Sequence, residues 1–344
     1  MRPPHTAKRG ISLPMAALGE HALIERLGRL VRKAPSHVPV GIGDDAAIVE
    51  PDRGALMAVS ADALVEGVHF RRSWSAPRSI GHKALAVALS DLAAMGAAPR
   101  ASLLSLALPE GFPVAEFDEL LEGFAALADS SRAALIGGNI ARSPGPIVID
   151  VTVLGSVKRR RWLERGGGQA GDELYVTGDL GAAAAGLAML EAVDAPGELE
   201  ASERACIERY ERPEPRLRMG QVVGRNRAAA AAIDLSDGLA DGARQMARAS
   251  QTGVVLEADA IPLHEGGRRW AARSGADALT LALSGGEDYE LLFAVRPRRR
   301  RAFLAAAKQA GNSPVTKIGR LTREPGAWLD RAGQLQPLPA GFEH

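Results

Sequence analysis

The chain has 344 residues, of which 46% are hydrophobic and 24% charged, a composition typical of a soluble globular protein with room for two domains. Its 42 basic and 41 acidic residues leave a net charge of +1, and only 4% of the residues are aromatic, so neither charge nor stacking favours nucleic acid or a membrane surface as a partner. Cys206 is the only cysteine, which excludes disulfides and thiolate metal clusters and indicates a reducing compartment.

The first 17 residues combine basic side chains with a short apolar stretch that Pro14 interrupts. This stretch is marginal for an export signal, and no run in the chain approaches the ~20 apolar residues of a membrane span. We therefore expect residues 1–17 to be a flexible extension of a cytoplasmic protein.

Hydrophobic periodicity predicts a mixed α/β domain in residues 18–157. Residues 19–31, GEHALIERLGRLV, have the spacing of an amphipathic helix with one apolar stripe. The elements predicted after it are strands at 46–49 and 56–60, a helix at 79–95, a strand at 101–108, a helix at 114–132 and a long strand at 146–157.

A charged and glycine-rich junction, KRRRWLERGGG from residue 158 onward, predicts the start of a second α/β domain that covers residues 158–344. Its predicted elements are a strand at 173–176, a helix after Gly181, a long helical region to about 229, and strands near 254–257, 289–295 and 315–319. The expected fold class is therefore α/β (α+β), in two domains.

Residues 41–50, GIGDDAAIVE, place Asp44 and Asp45 side by side just before a short apolar run. Adjacent carboxylates repel each other, and the burial of one without a partner is costly. Asp after Gly is common in solvated turns, which is the ordinary interpretation of this stretch, and a bound cation is the alternative.

The predicted helix at 79–95 carries an aspartate on its apolar side. Ala84, Val87, Ala88 and Met95 follow helical spacing, and Asp91 completes the same stripe. A core-facing aspartate either accepts backbone N–H groups of a neighbouring loop or binds a divalent cation through its oxygens.

Three segments share one design, since GIGDDAA, AAIDLSDGL and ALSGGEDYELLF each join an apolar run to paired acids across a tight turn. Several carboxylates gathered at one place suit magnesium ions that bridge phosphates. The candidate acids are Asp44, Asp45, Asp62, Asp91, Asp234, Asp237, Glu287 and Asp288.

Competing motifs are weak. The sequence contains no G-x-x-x-x-G-K-[ST] loop and no kinase-type H-R-D or D-F-G, and GDLGAAAAGLAML lacks the spacing of a dinucleotide loop. The seven histidines have no metal-ligand spacing, and on residue type alone His69 is a histidine satisfied within a turn or core.

Taken together, the motifs resemble the thiamine-monophosphate kinase family, in the superfamily that includes aminoimidazole ribonucleotide synthetase. The similarity extends over residues 19–343, and LSDLAAMGA and SGGEDYEL are its most specific parts. The matching segments, in chain order, are GEHALIERL, GIGDDAAI, SADALVEGVHF, KALAVALSDLAAMGAAP, LIGGN, GDELYVTG, AIDLSDGL, ALSGGEDYELLF and GFEH.

The resemblance implies a two-domain fold with mixed sheets, a homodimer joined through the N-terminal sheet, and transfer of the γ-phosphoryl group of ATP to thiamine monophosphate with several Mg²⁺ ions. It implies metal ligands at Asp45, Ser60, Asp62, Asp91, Asn139, Asp234 and Asp237, of which Asp62, Asp91 and Asp237 would act in catalysis. It further implies nucleotide contacts at Gly138, Asn139, Arg165 and Ser236, and thiamine-phosphate contacts at His69, Glu287 and Phe342.

Two loops depart from the family pattern. Gly-Gly-Asp-Thr-Thr is replaced by Gly137, Gly138, Asn139, Ile140 and Ala141, and Ser-Thr-Asp-Thr by Ser60, Ala61, Asp62 and Ala63. Because an amide oxygen still coordinates magnesium, we expect metal binding to be altered rather than lost. Two alternatives stay open: a relative acting on another small phosphate or carboxylate, and an inactive nucleotide-binding paralogue.

Overall fold

A computed structural model describes residues 20–30, 34–42, 46–192, 199–311 and 313–341 of the chain. The predicted extension at 1–17 lies outside these residues, as do three residues singled out above, Asp44, Asp45 and Phe342. Among the described residues, none of the helices combines the length and the hydrophobicity that crossing a membrane would require.

The elements up to residue 158 alternate helices and strands. They are α1 (Glu20–Leu30), β1 (Ala55–Val65), α2 (Pro77–Ala94), β2 (Ala98–Pro109), α3 (Val114–Ser131), β3 (Ala134–Ser143) and β4 (Val148–Lys158).

The remaining elements form a longer α/β series. They are β5 (Glu173–Thr177), α4 (Ala182–Glu191), α5 (Ala201–Glu211), α6 (Leu217–Arg225), β6 (Ala231–Asp234), α7 (Leu239–Ala249), β7 (Gly253–Glu257), α8 (Glu265–Ser274), α9 (Ala278–Ser284), β8 (Leu291–Val295), α10 (Arg300–Ala310), β9 (Val315–Thr322), β10 (Ala327–Arg331) and β11 (Gln334–Pro337).

The residues divide into two compact units. The first comprises Met1–Glu50, Ala61–Leu85 and Ala101–Thr152, and the second comprises Pro51–Ser60, Ala86–Arg100 and Val153–His344. Several elements, including β1 and α2, contribute residues to both units. The domain boundary at residue 158 stays a prediction.

A four-stranded sheet has the order β1-β4-β2-β3, with β2 and β3 parallel. In β4, Ile149, Val151 and Val153 are buried while the residues between them are half-buried, so one face of the strand packs on a core. β3 covers the LIGGN motif, which the sequence analysis did not assign to a strand.

The seven-stranded sheet has the order β11-β10-β7-β9-β5-β8-β6 and is mixed, because β10 pairs parallel with β7 and antiparallel with β11. All five residues of β5 and all five of β8 are buried, as expected for inner strands covered on both faces. At one edge β6 is also fully buried, and Ala232 N donates to Glu164 O at 3.0 Å. At the other edge all four residues of β11 are exposed.

Helix α2 is buried on all sides over residues 84–90, whereas the sequence predicted that only one apolar stripe of the helix would be buried. Met95, predicted on that stripe, follows the last helical residue and is 38% exposed. The N-terminal part of α2 crosses α3 closely, because a Cβ at Gly81 would lie 1.9 Å from Leu120 O. Only glycine allows this approach.

Two further predictions of local structure were wrong. The helical region predicted to continue to about 229 is two helices, α5 and α6, separated where Pro213 and Pro215 remove backbone donors and restrict the preceding residues. The strand predicted at 46–49 is reduced to one isolated antiparallel bridge between Val40 and Ile48.

Candidate active site

Two serine–aspartate contacts lie at the centre of the candidate site. The Ser60 hydroxyl, on β1, donates to the carboxylate of Asp91 on α2. The preceding residue, Ser90, donates from Oγ to Asp234 Oδ2 at 2.8 Å, and Asp234 is the last residue of β6. All four residues belong to the second unit, so three of the predicted metal ligands are joined here through adjacent positions of one helix.

Asp234 is only 7% exposed and has an acid beside it. Burial is the main cause, and the negative charge of Asp91 the second, of a rise in the pKa of the Asp234 carboxyl to about 6. The Ser90 hydrogen bond and the Arg165 guanidinium shift the same pKa downward. Two carboxylates that repel each other in a poorly solvated place fit a hard divalent cation, since a cation relieves both the repulsion and the loss of solvent.

The described residues include no group of three or more His, Cys, Asp or Glu side chains arranged to hold a metal ion. A magnesium ion held by Asp91 and Asp234 would therefore need other oxygen ligands to complete its shell. Serine hydroxyls and phosphate oxygens are ligands of this kind.

The loop after β6 is held against the segment that precedes β8. Glu287 N donates to Ser236 O at 2.6 Å, Tyr289 N to Leu235 O at 3.0 Å, and Leu235 N to Glu290 O at 2.9 Å. The Ser236 hydroxyl also donates to Oδ2 of its neighbour Asp237 at 3.3 Å. Predicted nucleotide and metal residues thus lie beside Glu287, which was predicted on the thiamine-phosphate side.

In the segment 287–290, residues with positive φ alternate with residues whose carboxylates accept hydrogen bonds inside the protein. Glu287 has φ 70° and Tyr289 has φ 48°, a left-handed region that is unfavourable for residues with a side chain. Between them, Asp288 accepts the N–H groups of Gly181 at 2.7 Å and Ala183 at 3.2 Å, at the start of α4. Burial raises the pKa of Asp288 to about 7.

Glu290 is fully buried and has four side-chain contacts. Its carboxylate receives Arg216 Nε at 2.7 Å and Nη2 at 2.5 Å, Arg209 Nη2 at 2.9 Å and Thr177 Oγ1 at 2.6 Å. These contacts satisfy the charge of Glu290 and, together with those of Asp288, fix the two ends of the strained turn. The sequence analysis missed Ser90, Glu290, Arg209 and Arg216. For Glu290, the available signal was the alternation of acidic and apolar residues in GEDYELL.

Arg165, predicted at a nucleotide phosphate, is exposed and donates from Nη1 to Gln245 Oε1 at 2.7 Å. The Gln245 amide in turn donates to the carboxylate of Asp241 on α7. Because the pKa of Asp234 responds to the charge of Arg165, this guanidinium belongs to the same electrostatic environment as the serine–aspartate contacts.

Among the described residues, four predicted site residues fall in the first unit: Asp62, His69, Gly138 and Asn139. Asp62 is half-buried on β1. His69 lies in a turn, where its Nδ1 accepts Val65 N at 3.1 Å and its carbonyl accepts Lys83 Nζ at 3.0 Å. The turn histidine expected from residue type alone is thus present, and a substrate contact stays a prediction.

Gly138 and Asn139 are both exposed on β3. Gly138 has φ 152°, and a Cβ there would lie 1.8 Å from Leu104 O of β2. The glycine is therefore required for the pairing of β2 with β3, whether or not it also contacts a nucleotide. Its neighbour Asn139 pairs in register with Ser105 and carries the departure from the family pattern.

Two family models match this chain, one in its N-terminal part and one in its C-terminal part. The family model for AIR synthase related protein, N-terminal domain, matches residues 43–157, and the model for the C-terminal domain matches residues 169–329. The chain therefore has both domains of this class, with the mixed α/β fold expected from the sequence.

Individual relatives, similar in sequence and in structure, identify the particular family within this class. A thiamine-monophosphate kinase of Salmonella typhimurium is 40% identical over 317 residues, covering 90% of this chain and 92% of the relative. The crystal structure of the same enzyme from Stenotrophomonas maltophilia matches with a TM-score of 0.80 and 38% identity, over 90% of this chain and 95% of that one. A structure of AaThiL complexed with AMPPCP and TMP matches with a TM-score of 0.74 and 31% identity, over 97% and 100% of the two chains. The chain belongs to the thiamine-monophosphate kinase family.

Proposed function

We propose that the chain transfers the γ-phosphoryl group of ATP to the phosphate of thiamine monophosphate, giving thiamine diphosphate. Family membership supports the reaction, and the related complex with AMPPCP and TMP supports the two substrates. The observation in this chain that carries the proposal is the pair Asp91 and Asp234, half-buried and buried, which both accept serine hydroxyls. The loop after Asp234 places Ser236 beside Glu287.

The chemistry suits this arrangement. The acceptor is a phosphate oxygen that is already anionic near neutral pH, so the reaction needs no general base. The main obstacle is repulsion between two polyanions, and Mg²⁺, when bound, supplies the positive charge that lowers it. In this proposal Asp91, Asp234, Asp237, Asp62, Asp45, Ser60 and Asn139 are oxygen ligands for magnesium.

Other side chains have supporting roles in the proposal. Arg165 adds a positive charge that does not titrate near neutral pH, close to the donor phosphates with Ser236 and Gly138. His69, Glu287 and Phe342 contact the thiamine phosphate. Glu287 suits a positioning role because backbone hydrogen bonds and two buried acids fix its turn.

We also propose a homodimer that forms through the four-stranded sheet, in a cytoplasmic protein with domains 18–157 and 158–344. Strand β1 supports the dimer: Met57 and Val59 project from the same face and are 53% and 61% exposed. A monomer by light scattering at micromolar concentration would overturn this part of the proposal.

The experiment that tests the reaction is an assay of purified protein with Mg-ATP and a panel of small phosphates and carboxylates that includes thiamine monophosphate. We expect transfer to thiamine monophosphate that depends on Mg²⁺ and is lost in Asp91→Asn. Transfer only to another acceptor would replace the substrate, and nucleotide binding without transfer to any acceptor would identify an inactive paralogue.

A further inference from the structure

A single hydroxyl group interrupts the apolar part of helix α2. Residues 84–90 read ALAVALS, and Ser90 is the only polar side chain among them. A serine inside a helix ordinarily turns to solvent or donates to the carbonyl group four residues earlier. Ser90 is 0% exposed, and its Oγ instead donates across to Asp234 Oδ2 at 2.8 Å. This hydroxyl therefore serves a partner that lies 144 positions away in the chain.

The two adjacent residues Ser90 and Asp91 turn toward different strands. Successive side chains of an α-helix point about 100° apart. Asp91 contacts Ser60 on β1, and Ser90 contacts Asp234 at the end of β6. Since Ser90 is fully buried and donates its proton to a carboxylate, its influence on a bound ligand is exerted through Asp234.

The part of α2 that carries this serine is fixed in the second unit by close backbone contacts. A Cβ at Gly220, on α6, would lie 1.8 Å from Ala93 O, so only a glycine allows the two helices to approach this closely. Just after α2, Leu163 N donates to Met95 O at 3.1 Å. Strand β6 is buried along its whole length. The helix and the strand are thus both held in place, and the hydrogen bond between them sets the orientation of one carboxylate.

From these contacts we infer that Ser90 is a positioning residue for the metal site, because it holds Oδ2 of Asp234 and so keeps that carboxylate in the orientation that binds magnesium. The inference rests on the proposed function. Carboxylates that bind metals are commonly held by a hydrogen bond from behind, and loss of such a partner typically lowers metal affinity by about 10–100-fold. Neither the motifs nor the comparisons assign a role to Ser90.

The test compares Ser90→Ala with Ser102→Ala, a matched change at another serine that is 0% exposed. Ser102 Oγ donates to Ala133 O at 2.9 Å, and both of these residues belong to the first unit. The binding of Mn²⁺ in the presence of AMPPCP, followed through the electron paramagnetic resonance of the free ion, requires no turnover. We expect Ser90→Ala to weaken Mn²⁺ binding about tenfold and Ser102→Ala to leave it within about twofold, although each variant loses one buried hydrogen bond.

Thermal unfolding separates positioning from general stability. The measured quantity is the rise in melting temperature when EDTA is replaced by Mn²⁺ and AMPPCP, since a ligand that binds only the native state stabilises it according to its affinity. This rise should be kept in Ser102→Ala and reduced in Ser90→Ala. Equal rises in the two variants, or an unchanged Mn²⁺ affinity in Ser90→Ala, would overturn the inference.

A second variant, Ser90→Cys, distinguishes the hydrogen bond from the packing of the side chain. A thiol is larger than a hydroxyl and a weaker donor. If the hydrogen bond decides, Mn²⁺ affinity should fall in the order wild type, Ser90→Cys, Ser90→Ala. A cysteine variant that binds Mn²⁺ no better than the alanine variant would overturn the inference.

The same measurements separate this inference from the proposed reaction. A wild type that binds Mn²⁺ with AMPPCP but transfers no phosphoryl group to thiamine monophosphate would count against the reaction and not against Ser90. A wild type that binds no Mn²⁺ would overturn both.

Discussion

Two pairs of acids in the second unit differ in what surrounds them. Asp288 and Glu290 accept N–H groups at a helix start and the guanidinium groups of two arginines. Asp91 and Asp234 accept side-chain hydrogen bonds from the hydroxyls of Ser60 and Ser90, and the charge of Asp91 acts on Asp234. The protein itself supplies the partners of the first pair, and in the proposed function a cation completes the second.

Burial alone therefore does not tell a structural acid from a ligand. All four side chains lie in or beside apolar strands and helices, where a lone carboxylate is costly. The distinguishing property is what the partners supply: Glu290 has two arginines, which neutralise a carboxylate permanently, and Asp288 has two helix N–H groups, whereas a single serine hydroxyl does not neutralise Asp91 or Asp234. Each prediction below changes one member of these pairs or a residue predicted to act with them.

The largest effect is expected from Asp91→Ala. Loss of a magnesium ligand should reduce kcat/KM for phosphoryl transfer by on the order of 10³-fold, while the melting temperature without metal stays equal or rises because the repulsion with Asp234 is removed. Steady-state kinetics and thermal unfolding in EDTA measure the two effects. Turnover like that of the wild type would exclude Asp91 from the metal site.

In the other pair, Glu290→Ala should lower the unfolding free energy of the protein. It leaves Arg216 and Arg209 without their buried partner, which costs about 3–5 kcal/mol of unfolding free energy. Glu214→Ala is the matched control, since Glu214 also pairs with Arg216, at 3.0 Å, but its side chain is 75% exposed. Denaturant unfolding should show a change below about 1 kcal/mol for the control. Similar values for both variants would mean that the buried network contributes little.

The raised pKa of Asp288 predicts a dependence of stability on pH. Burial raises this pKa to about 7, well above that of an aspartate in the unfolded chain, so between about pH 4 and 7 the native state binds a proton that the unfolded state has released. The unfolding free energy should therefore fall as pH rises through this window, with a slope of up to about 1.4 kcal/mol per pH unit from this group.

Asp288→Asn isolates this contribution, because the variant cannot titrate. The difference in unfolding free energy between wild type and Asp288→Asn should change across pH 4–7, with and without Mg²⁺, since Asp288 belongs to the pair that needs no cation. A constant difference across that range would show that the helix N–H groups keep Asp288 ionised.

The smallest expected effect comes from Asn139→Asp. If the Asn139 amide is a magnesium ligand, a full negative charge at the same distance should lower the Mg²⁺ concentration for half-maximal transfer a few-fold, with a slight loss of stability without metal. The nearly identical shape of the two side chains leaves the exposed strand β3 intact. An unchanged magnesium dependence would place Asn139 outside the coordination sphere.

Much of this architecture was predictable because it depends on local patterns. The alternation of apolar residues in β4 and the glycine-ended helix α2 follow from the sequence, and the motifs identify the family. Partnerships over long chain distances were not predictable: nothing local connects Ser90 with Asp234, or Glu290 with Arg209 and Arg216. For the same reason α2 was assigned one apolar stripe, although packing covers it on all sides.

The two edges of the seven-stranded sheet have a consequence for self-association. Exposed strand edges can template the addition of a strand from another molecule and so begin aggregation. At β6 that route is closed, since Ala232 N is already bonded to Glu164 O. At β11 the open edge is only four residues long and ends in Pro337, which has no N–H to offer. The seven-stranded sheet is thus protected at both edges against growing into a fibril.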